Sequence, residues 1–261
     1  MLWLQHKKIV LIGGTTGMGL SAALAFVREG ARVVVVGRNP DSCAAAESQL
    51  GSAGKVLCGD AMDPATAPAA IELCLQAFGD FNGLYHVAGG SGRAFGDGPL
   101  HELSLEGWNK TFELNLGSLM LSNQAAVRAF LARGQAGAIL NMGSVLGHSP
   151  SIAYFTTHAY AAAKSAVTGF IKATAAYYAP HNIRINGLYP ALVETPMARR
   201  AAGNEAILHF IKTKQPLDGG RIGQPQDLDG AAVYFMSDYA QFTTGQVLMV
   251  DGGWTVSEGQ Y

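Results

Sequence analysis

The 261-residue sequence predicts an α/β fold in which a doubly wound parallel sheet carries helices on both faces. Short apolar runs rich in β-branched residues alternate with segments of helical periodicity, which is the pattern of strands joined by helical crossovers. Several of these runs are apolar at every position, as in strands buried on both faces. No linker, repeat or shift in composition interrupts the alternation, so we expect one domain over residues 1–261.

The individual elements follow from the same patterns. Residues 7–13 (KKIVLIG) form a strand ended by glycine, residues 20–30 repeat their apolar positions at helical spacing, and residues 32–36 form a second strand. Further strands are predicted near residues 55–58, 83–87, 137–142, 183–188 and 246–250. Further helices are predicted near residues 44–50, 64–78, 102–114, 117–133, 159–178, 204–213 and 226–237. This alternation favours right-handed crossovers and parallel pairing of the strands.

Two segments break the alternation, at residues 89–99 and 190–220. Each follows the carboxyl end of a predicted strand, which is where ligands bind in doubly wound sheets. Both are therefore candidate walls of a substrate site, with an ordinary surface loop as the alternative. The second segment is the stronger candidate because it contains apolar residues such as Met197, Leu208 and Phe210.

Composition narrows the class of partner. Charged residues make up 14% of the chain and the net charge is −1, so nothing indicates binding to nucleic acid or to an anionic membrane. No apolar run approaches the roughly 20 residues of a membrane span. Cys43, Cys58 and Cys74 lack metal-site spacing and are expected to be reduced, packed thiols, with no metal bound. We expect a cytoplasmic protein whose partner is a small molecule.

A glycine-rich turn, Gly13-Gly14-Thr15-Thr16-Gly17-Met18-Gly19, lies between the first strand and the first helix. In this position a phosphate can bind to the free N–H groups of the helix. Gly13 is expected to form the turn, Gly17 to admit a pyrophosphate, and Gly19 to let the helix pack against the strand. The threonines add hydroxyl groups for phosphate or ribose.

Arg38 follows the second strand, where an NAD-selective site usually presents a carboxylate to the ribose. An arginine can instead bind a 2′-phosphate, so NADP(H) is favoured, with NAD(H) as the alternative if Arg38 stacks on adenine or faces water. Asp60, after the third strand, is placed either to accept a hydrogen bond from adenine or to cap the helix that begins near Pro64.

Tyr160 and Lys164 are four residues apart in an alanine-rich helical run and therefore share one helix face. A nearby positive charge favours the phenolate form of a tyrosine, so the pair can act as a general acid and base toward an alcohol or carbonyl. Taken alone, the pair is also compatible with a solvated helix face.

These features together resemble the short-chain dehydrogenase/reductase family, with its Rossmann-type fold, over nearly the whole chain. The matching positions are residues 12–19 for the glycine motif, Tyr160 and Lys164 for Y-x-x-x-K, Asn115, Ser144, and the ending at residues 245–253. The resemblance implies that Tyr160 exchanges a proton with the substrate oxygen and that Ser144 holds that oxygen. It also implies that Lys164 lowers the tyrosine pKa and binds the nicotinamide ribose, and that Asn115 supports a proton relay.

The resemblance also implies a set of cofactor contacts. They are Gly13, Thr15, Thr16, Gly17, Met18, Gly19, Arg38, Asp60, Ala61, Ala88, Gly89, Tyr160, Lys164, Pro190, Val193 and Thr195. The chain departs from the family pattern at three places: Ile12 replaces a threonine, His86-Val87 replaces two asparagines, and Ala191 replaces a glycine. Members of the family are commonly tetramers, so a homo-oligomer is expected.

The interval between Ser144 and Tyr160 is longer than usual for the family and contains His148, Phe155 and His158, which are expected to project into the substrate cleft. The leading functional hypothesis is an NADP-dependent oxidoreductase of small or medium ketones and alcohols. An NAD-preferring polyol or sugar dehydrogenase and a non-catalytic dinucleotide sensor or scaffold are the alternatives. The substrate and the physiological direction do not follow from the residues.

Overall fold

The computed structural model describes residues 2–259 and contains one parallel sheet of seven strands in the order β3-β2-β1-β4-β5-β6-β7. The strands are β1 (Lys8–Ile12), β2 (Arg32–Gly37), β3 (Gly54–Cys58), β4 (Gly83–His86), β5 (Gly137–Met142), β6 (Ile183–Pro190) and β7 (Val247–Val250). Each strand pairs in parallel with its neighbours. The predicted α/β class and all of the predicted strands are confirmed.

Helices cover both faces of this sheet. They are α1 (Gly17–Arg28), α2 (Pro40–Leu50), α3 (Thr66–Phe78), α4 (Leu105–Phe112), α5 (Ser118–Ala132), α6 (His158–Tyr178), α7 (Arg199–Ala202), α8 (Glu205–Lys214) and α9 (Asp229–Met236). The helices predicted at 102–114 and 117–133 are one continuous run, because a π-helical turn at Glu113–Gly117 joins α4 to α5. The helix predicted at 226–237 is divided into a 3-10 turn at Pro225–Leu228 and α9.

Strand β1 shows why the sheet is buried on both faces. Its alternate residues Ile9 and Leu11 pack into one apolar cluster, while Val10 and Ile12 pack into a second cluster on the other face. Side chains alternate across a strand, so a run that is apolar at every position supplies both clusters at once. The isoleucine that replaces the family's threonine at position 12 is thus a core residue, 1% exposed.

The strand order reverses between β1 and β4, because β2 and β3 extend the sheet to one side and β4 extends it to the other. Such a switch point leaves a crevice beyond the carboxyl ends of the two strands. The glycine-rich turn after β1 and segment 89–99 after β4 therefore meet at the same place.

Two further results concern expectations from composition. Cys43 and Cys74 are buried as expected, but Cys58 is exposed because it ends the edge strand β3, so the expectation of three packed thiols is wrong for this residue. Among residues 2–259, no helix is both long and apolar enough to cross a membrane.

Candidate active site

A cavity of about 310 Å³ opens at the carboxyl edge of the sheet. Its walls come from both segments that interrupt the strand and helix alternation, together with the residues after β5 and the first turns of α6. Of the predicted site residues, those that line it are Met18, Gly89, Asn115, Ser144, Tyr160, Lys164, Pro190, Val193 and Thr195. The other predicted cofactor contacts do not line this cavity and follow strands β1 to β4 at the same edge; they are the rest of the glycine turn, Arg38, Asp60, Ala61 and Ala88.

Ser144 and Tyr160 both line this cavity. Ser144 follows β5 and its Oγ accepts a hydrogen bond from the N–H of Leu146 at 3.2 Å, which opens a short 3-10 turn. Burial raises the pKa of the Tyr160 hydroxyl, and the nearby Ser144 side chain opposes part of that increase. Both side chains line the same cavity.

Lys164 lies one helical turn beyond Tyr160 and is only 3% exposed. Its Nζ donates a hydrogen bond to the carbonyl of Met142 at 3.0 Å and lies 5.7 Å from the centroid of the Tyr160 ring. Burial lowers the pKa of the Lys164 ammonium to about 8. Burial raises the pKa of Tyr160 in this structure, so the lowering of the tyrosine pKa by Lys164 stays a prediction.

Asn115 lies in the π-helical turn between α4 and α5 and is completely buried. Its Nδ2 donates to the carbonyls of Gly90 at 2.8 Å and Thr111 at 2.9 Å, and its Oδ1 accepts from the N–H of Gly90 at 3.1 Å. Both amide hydrogens are thus bound to main-chain oxygens. A proton relay through Asn115 would have to use Oδ1 or the backbone carbonyl.

Asp97 positions the helix that carries Tyr160, a role that sequence reasoning missed. The carboxylate is 5% exposed and accepts hydrogen bonds from the N–H groups of Ala159 and Tyr160, each at 3.0 Å. Thr157, at the N-cap of α6, makes no side-chain capping bond. An aspartate next to glycines in segment 89–99 was a usable signal, since aspartate favours helix amino ends.

The glycine turn has the geometry of an anion cradle. Gly13 has a φ of +86°, and a Cβ there would lie 2.6 Å from the N of Ala88; a Cβ on Gly19 would lie 2.0 Å from the O of Gly13. Only glycine therefore lets the turn approach β4 and lets α1 pack on the turn. Thr16, the N-cap of α1, makes no side-chain capping bond. The first N–H groups of α1 are therefore open to a phosphate.

Arg38 and Asp60 lie together beyond β2 and β3. The Arg38 guanidinium is 3.6 Å from the Asp60 carboxylate, and the two side chains are 63% and 40% exposed. The alternative in which Asp60 caps the next helix is wrong, because α3 begins at Thr66 and Asp60 Oδ1 accepts from the N–H of Met62 at 2.9 Å. Asp60 closes a local turn and leaves its other oxygen near Arg38.

His86 takes over a structural position in which the family has an asparagine. It is completely buried, with Nδ1 2.8 Å from Ser122 Oγ and Nε2 3.4 Å from Ser118 Oγ, so it ties β4 to α5. Burial, followed by the positive charge of Lys164, lowers the pKa of His86 to about 3. The imidazole is therefore neutral in the folded protein.

Phe155, His148 and His158, the three residues between Ser144 and Tyr160 that are expected to project into the substrate cleft, differ in where they lie. Phe155 lines the cavity and packs edge-on against Trp254, with ring centroids 5.8 Å apart. His148 and His158 are exposed and do not line it, so the expectation is wrong for both histidines. His148 follows the 3-10 turn Val145–Gly147, and His158 is the first residue of α6, which directs Tyr160 rather than His158 inward.

An open parallel sheet with an anion cradle at its switch point, beside a cavity that holds a buried lysine and a serine–tyrosine pair, defines a dinucleotide-dependent oxidoreductase. The sequence model of the family described as Enoyl-(Acyl carrier protein) reductase matches residues 13–255. A 2,5-dichloro-2,5-cyclohexadiene-1,4-diol dehydrogenase of Sphingobium indicum is 33% identical over 254 residues, covering 97% of this chain and 98% of that protein.

Two further comparisons agree. A gluconate 5-dehydrogenase of Gluconobacter oxydans is 34% identical over 259 residues, covering 97% of this chain and 96% of that protein. A short-chain type dehydrogenase/reductase from Mycobacterium ulcerans has a similar structure, with a TM-score of 0.89 and 28% identity over 98% of this chain and 92% of that one. This chain belongs to the short-chain dehydrogenase/reductase family. It is an oxidoreductase that acts on CH–OH groups, and dehydrogenases of this family use nicotinamide dinucleotides.

Proposed function

We propose that this enzyme interconverts a secondary alcohol and its ketone on a small or medium organic molecule, with Asn115, Ser144, Tyr160 and Lys164 as the catalytic residues. The observation that carries the proposal is that the Ser144 and Tyr160 hydroxyls and the buried Lys164 all line one cavity, with Ser144 near enough to influence the pKa of Tyr160. Two hydroxyls in one cavity can hold a carbonyl oxygen and protonate it in the same step.

Each side chain has a distinct part in this proposal. Ser144 donates a hydrogen bond to the substrate oxygen, and Tyr160 gives its proton to that oxygen in reduction or takes it in oxidation. A bound nicotinamide supplies or accepts the hydride. Lys164, whose pKa lies at about 8, can take up and release a proton near neutral pH and return it toward Tyr160. Asn115 fixes Gly90 at the cavity wall and supports the relay through its oxygen.

The cofactor contacts proposed from the sequence fit a dinucleotide. The glycine turn and the amino end of α1 provide donors for a pyrophosphate. A Cβ on Gly17 would lie 3.2 Å from Thr195 Cγ2, so segment 190–220 closes over the turn at this point. NADP(H) is favoured because Arg38 lies exposed at the end of β2, where a 2′-phosphate would be placed.

The substrate walls are proposed to be segments 89–99 and 190–220 of a single domain spanning residues 1–261. Residues Gly89 to Ser91 and Ala191 to Val193 line the cavity. In contrast, Ile207, Phe210 and Ile211 pack with Trp254 in an apolar cluster that supports the second wall from behind.

A second candidate is an NAD-preferring dehydrogenase of a polyol or sugar, which is favoured by the similarity to a gluconate 5-dehydrogenase and by the carboxylate of Asp60 beside Arg38. A sensor or scaffold without turnover is the third. The family further favours a homotetramer. Exposed Leu105, Met120 and Tyr177 on helices α4 to α6, and Leu248 on β7, offer apolar area for such an assembly, which sedimentation equilibrium would measure.

The decisive experiment is a screen of ketones and alcohols followed by nicotinamide absorbance, repeated with Tyr160→Phe. Removal of the Tyr160 hydroxyl is expected to lower kcat by about 10²- to 10⁴-fold, while dinucleotide binding stays near its wild-type value. Thr168→Val is a matched control, because it also removes a hydroxyl from α6, one that contacts Tyr189 Oη at 2.8 Å. Unchanged turnover in Tyr160→Phe would remove Tyr160 from the acid role, and the absence of turnover with any substrate would favour the sensor.

A further inference from the structure

Two arginines from opposite substrate walls meet at the cavity. Arg93, from segment 89–99, donates from Nη2 to the carbonyl oxygen of Tyr154 at 3.4 Å. Arg200, from α7, donates from Nη2 to the same oxygen at 3.3 Å. Both side chains line the cavity that contains Ser144 and Tyr160. Two guanidinium groups are therefore held next to each other at the catalytic cavity.

Neither arginine has an anionic partner among the described residues. No carboxylate of residues 2–259 forms an ion pair with Arg93 or Arg200. Asp97 is the acidic group that acts on Arg93, but its two oxygens are engaged by the amino end of α6. Burial, and then the charge of Arg200, lowers the pKa of Arg93, while Asp97 raises it. Each guanidinium has five N–H donors, so a single shared backbone carbonyl leaves most of the donors of Arg93 and Arg200 free.

The other side chains on the same walls are mainly apolar. Leu146, Phe155, Leu192, Met197 and Trp254 line the cavity. No acidic side chain among the described residues lines this cavity, so an anion that enters it is attracted to the two exposed arginines. Guanidinium groups match the two oxygens of a carboxylate in a bidentate geometry.

We propose that the physiological substrate is a hydroxy acid or oxo acid whose carboxylate is bound by Arg93 and Arg200 while its alcohol or ketone carbon lies at Ser144 and Tyr160. This inference rests on the proposed function, since it assigns the substrate class of that reaction. The arginines are specificity-determining residues in it and take no part in proton transfer.

The test compares oxo acids with their methyl esters, which keep the ketone and remove the charge. The probes are 4-oxopentanoate, 5-oxohexanoate and 6-oxoheptanoate, which place the ketone carbon at three different distances from the carboxylate. Wild type is expected to show a kcat/KM at least about tenfold higher for one of the acids than for its ester. Arg93→Gln and Arg200→Gln should each remove most of that ratio by lowering kcat/KM for the acid.

Arg32→Gln is the matched control. Arg32 is exposed and also donates to one backbone carbonyl, that of Ser52 at 2.7 Å, but it lies at the amino end of β2, on the opposite edge of the sheet. This variant should keep the wild-type ratio. Raising the salt concentration should reduce the ratio in wild type and leave the esters nearly unaffected.

The outcomes separate this inference from the proposed function. Esters and acids reduced equally well would leave the reaction in place and overturn the carboxylate site. If no ketone is reduced, the proposed function fails, and calorimetric titration of the same acids into the NADPH-loaded protein decides the inference. Binding that weakens at least about tenfold in both cavity variants would support the site, and no binding, or binding unchanged by them, would overturn it.

Discussion

The carboxylate of Asp97 accepts a hydrogen bond from the backbone N–H of Tyr160 at 3.0 Å, across 63 residues of sequence. Its second oxygen accepts from the N–H of Ala159, so both bonds fall on the first turn of α6, the helix that carries Tyr160. The first N–H groups of a helix have no partner within it, and a carboxylate there also interacts favourably with the helix dipole. Segment 89–99 thus fixes the position of the tyrosine through the main chain.

Replacing Asp97 with alanine is expected to lower the free energy of unfolding by about 1–2 kcal/mol, because one buried and one partly buried N–H group lose their acceptor. The value of kcat should fall as well, since Tyr160 loses its anchor. Urea unfolding and steady-state kinetics measure the two effects. In the control Asp63→Ala, an exposed turn loses one bond to Ala65, and we expect a cost of about 0.5 kcal/mol or less with unchanged kcat. Wild-type unfolding in Asp97→Ala would contradict the anchoring role.

Acid stability should depend on His86. The imidazole has a pKa of about 3 in the folded protein against an ordinary value of 6.5, so between these pH values the unfolded chain binds the extra proton. Stability therefore decreases as pH falls from 6.5 toward 3, by about 1.4 kcal/mol per pH unit. Relative to His86→Asn, which keeps a polar group and cannot titrate, wild type should lose about 3 kcal/mol between pH 7 and pH 4.5.

The measurement for His86 is the free energy of unfolding in urea at several pH values for both proteins. The absolute stability of His86→Asn is not the readout, because the smaller side chain also changes packing around Ser118 and Ser122. Only the difference in pH dependence reports the buried imidazole. Parallel profiles for wild type and variant would show that His86 does not stay neutral in the fold.

The strands and helices, and the residues proposed to be catalytic, could be picked out from the sequence because each depends on a local pattern. Strand β1 is apolar at every position, the glycine turn stands between a strand and a helix, and Tyr160 and Lys164 have helical spacing. The structure brings Asn115, Ser144, Tyr160 and Lys164 to one cavity, as the family motifs indicate. Their catalytic roles stay predictions.

The missed features depend on contacts between distant parts of the chain. Asp97 binds the start of α6, and Arg93 and Arg200 both donate to the carbonyl of Tyr154, which lies in neither substrate wall. The periodicity of a sequence does not indicate contacts between residues so far apart. The expectation for His148 and His158 was wrong for a related reason. Position between Ser144 and Tyr160 does not fix the direction of a side chain, which depends here on a 3-10 turn and the start of α6.

Alkaline stability should depend on Lys164. Its pKa is about 8 in the folded protein against an ordinary value of 10.5, so the unfolded chain holds more protons between these pH values and stability rises with pH. Relative to Lys164→Met, wild type should gain about 3 kcal/mol as pH rises through this range, since one pH unit corresponds to about 1.4 kcal/mol. Lys172→Met removes an exposed lysine from the same helix and should show no such change.

Urea unfolding across this range checks the prediction, and a wild-type curve parallel to Lys164→Met would contradict a buried ammonium of low pKa.

Arg38 is the residue on which cofactor choice should depend. Arg38→Ala is expected to weaken NADPH binding by about 1–3 kcal/mol more than NADH binding, because a charge-assisted bond to the 2′-phosphate is lost. Asp60→Asn should act in the opposite direction, since Asp60 lies 3.6 Å from the guanidinium and its charge repels the phosphate. Calorimetric titration with both dinucleotides at fixed ionic strength measures these effects, with Arg32→Gln at the far end of β2 as the control. Equal losses for the two cofactors would indicate that Arg38 stacks on adenine, and tighter binding of NADH by wild type would replace NADP(H) with NAD(H) as the cofactor.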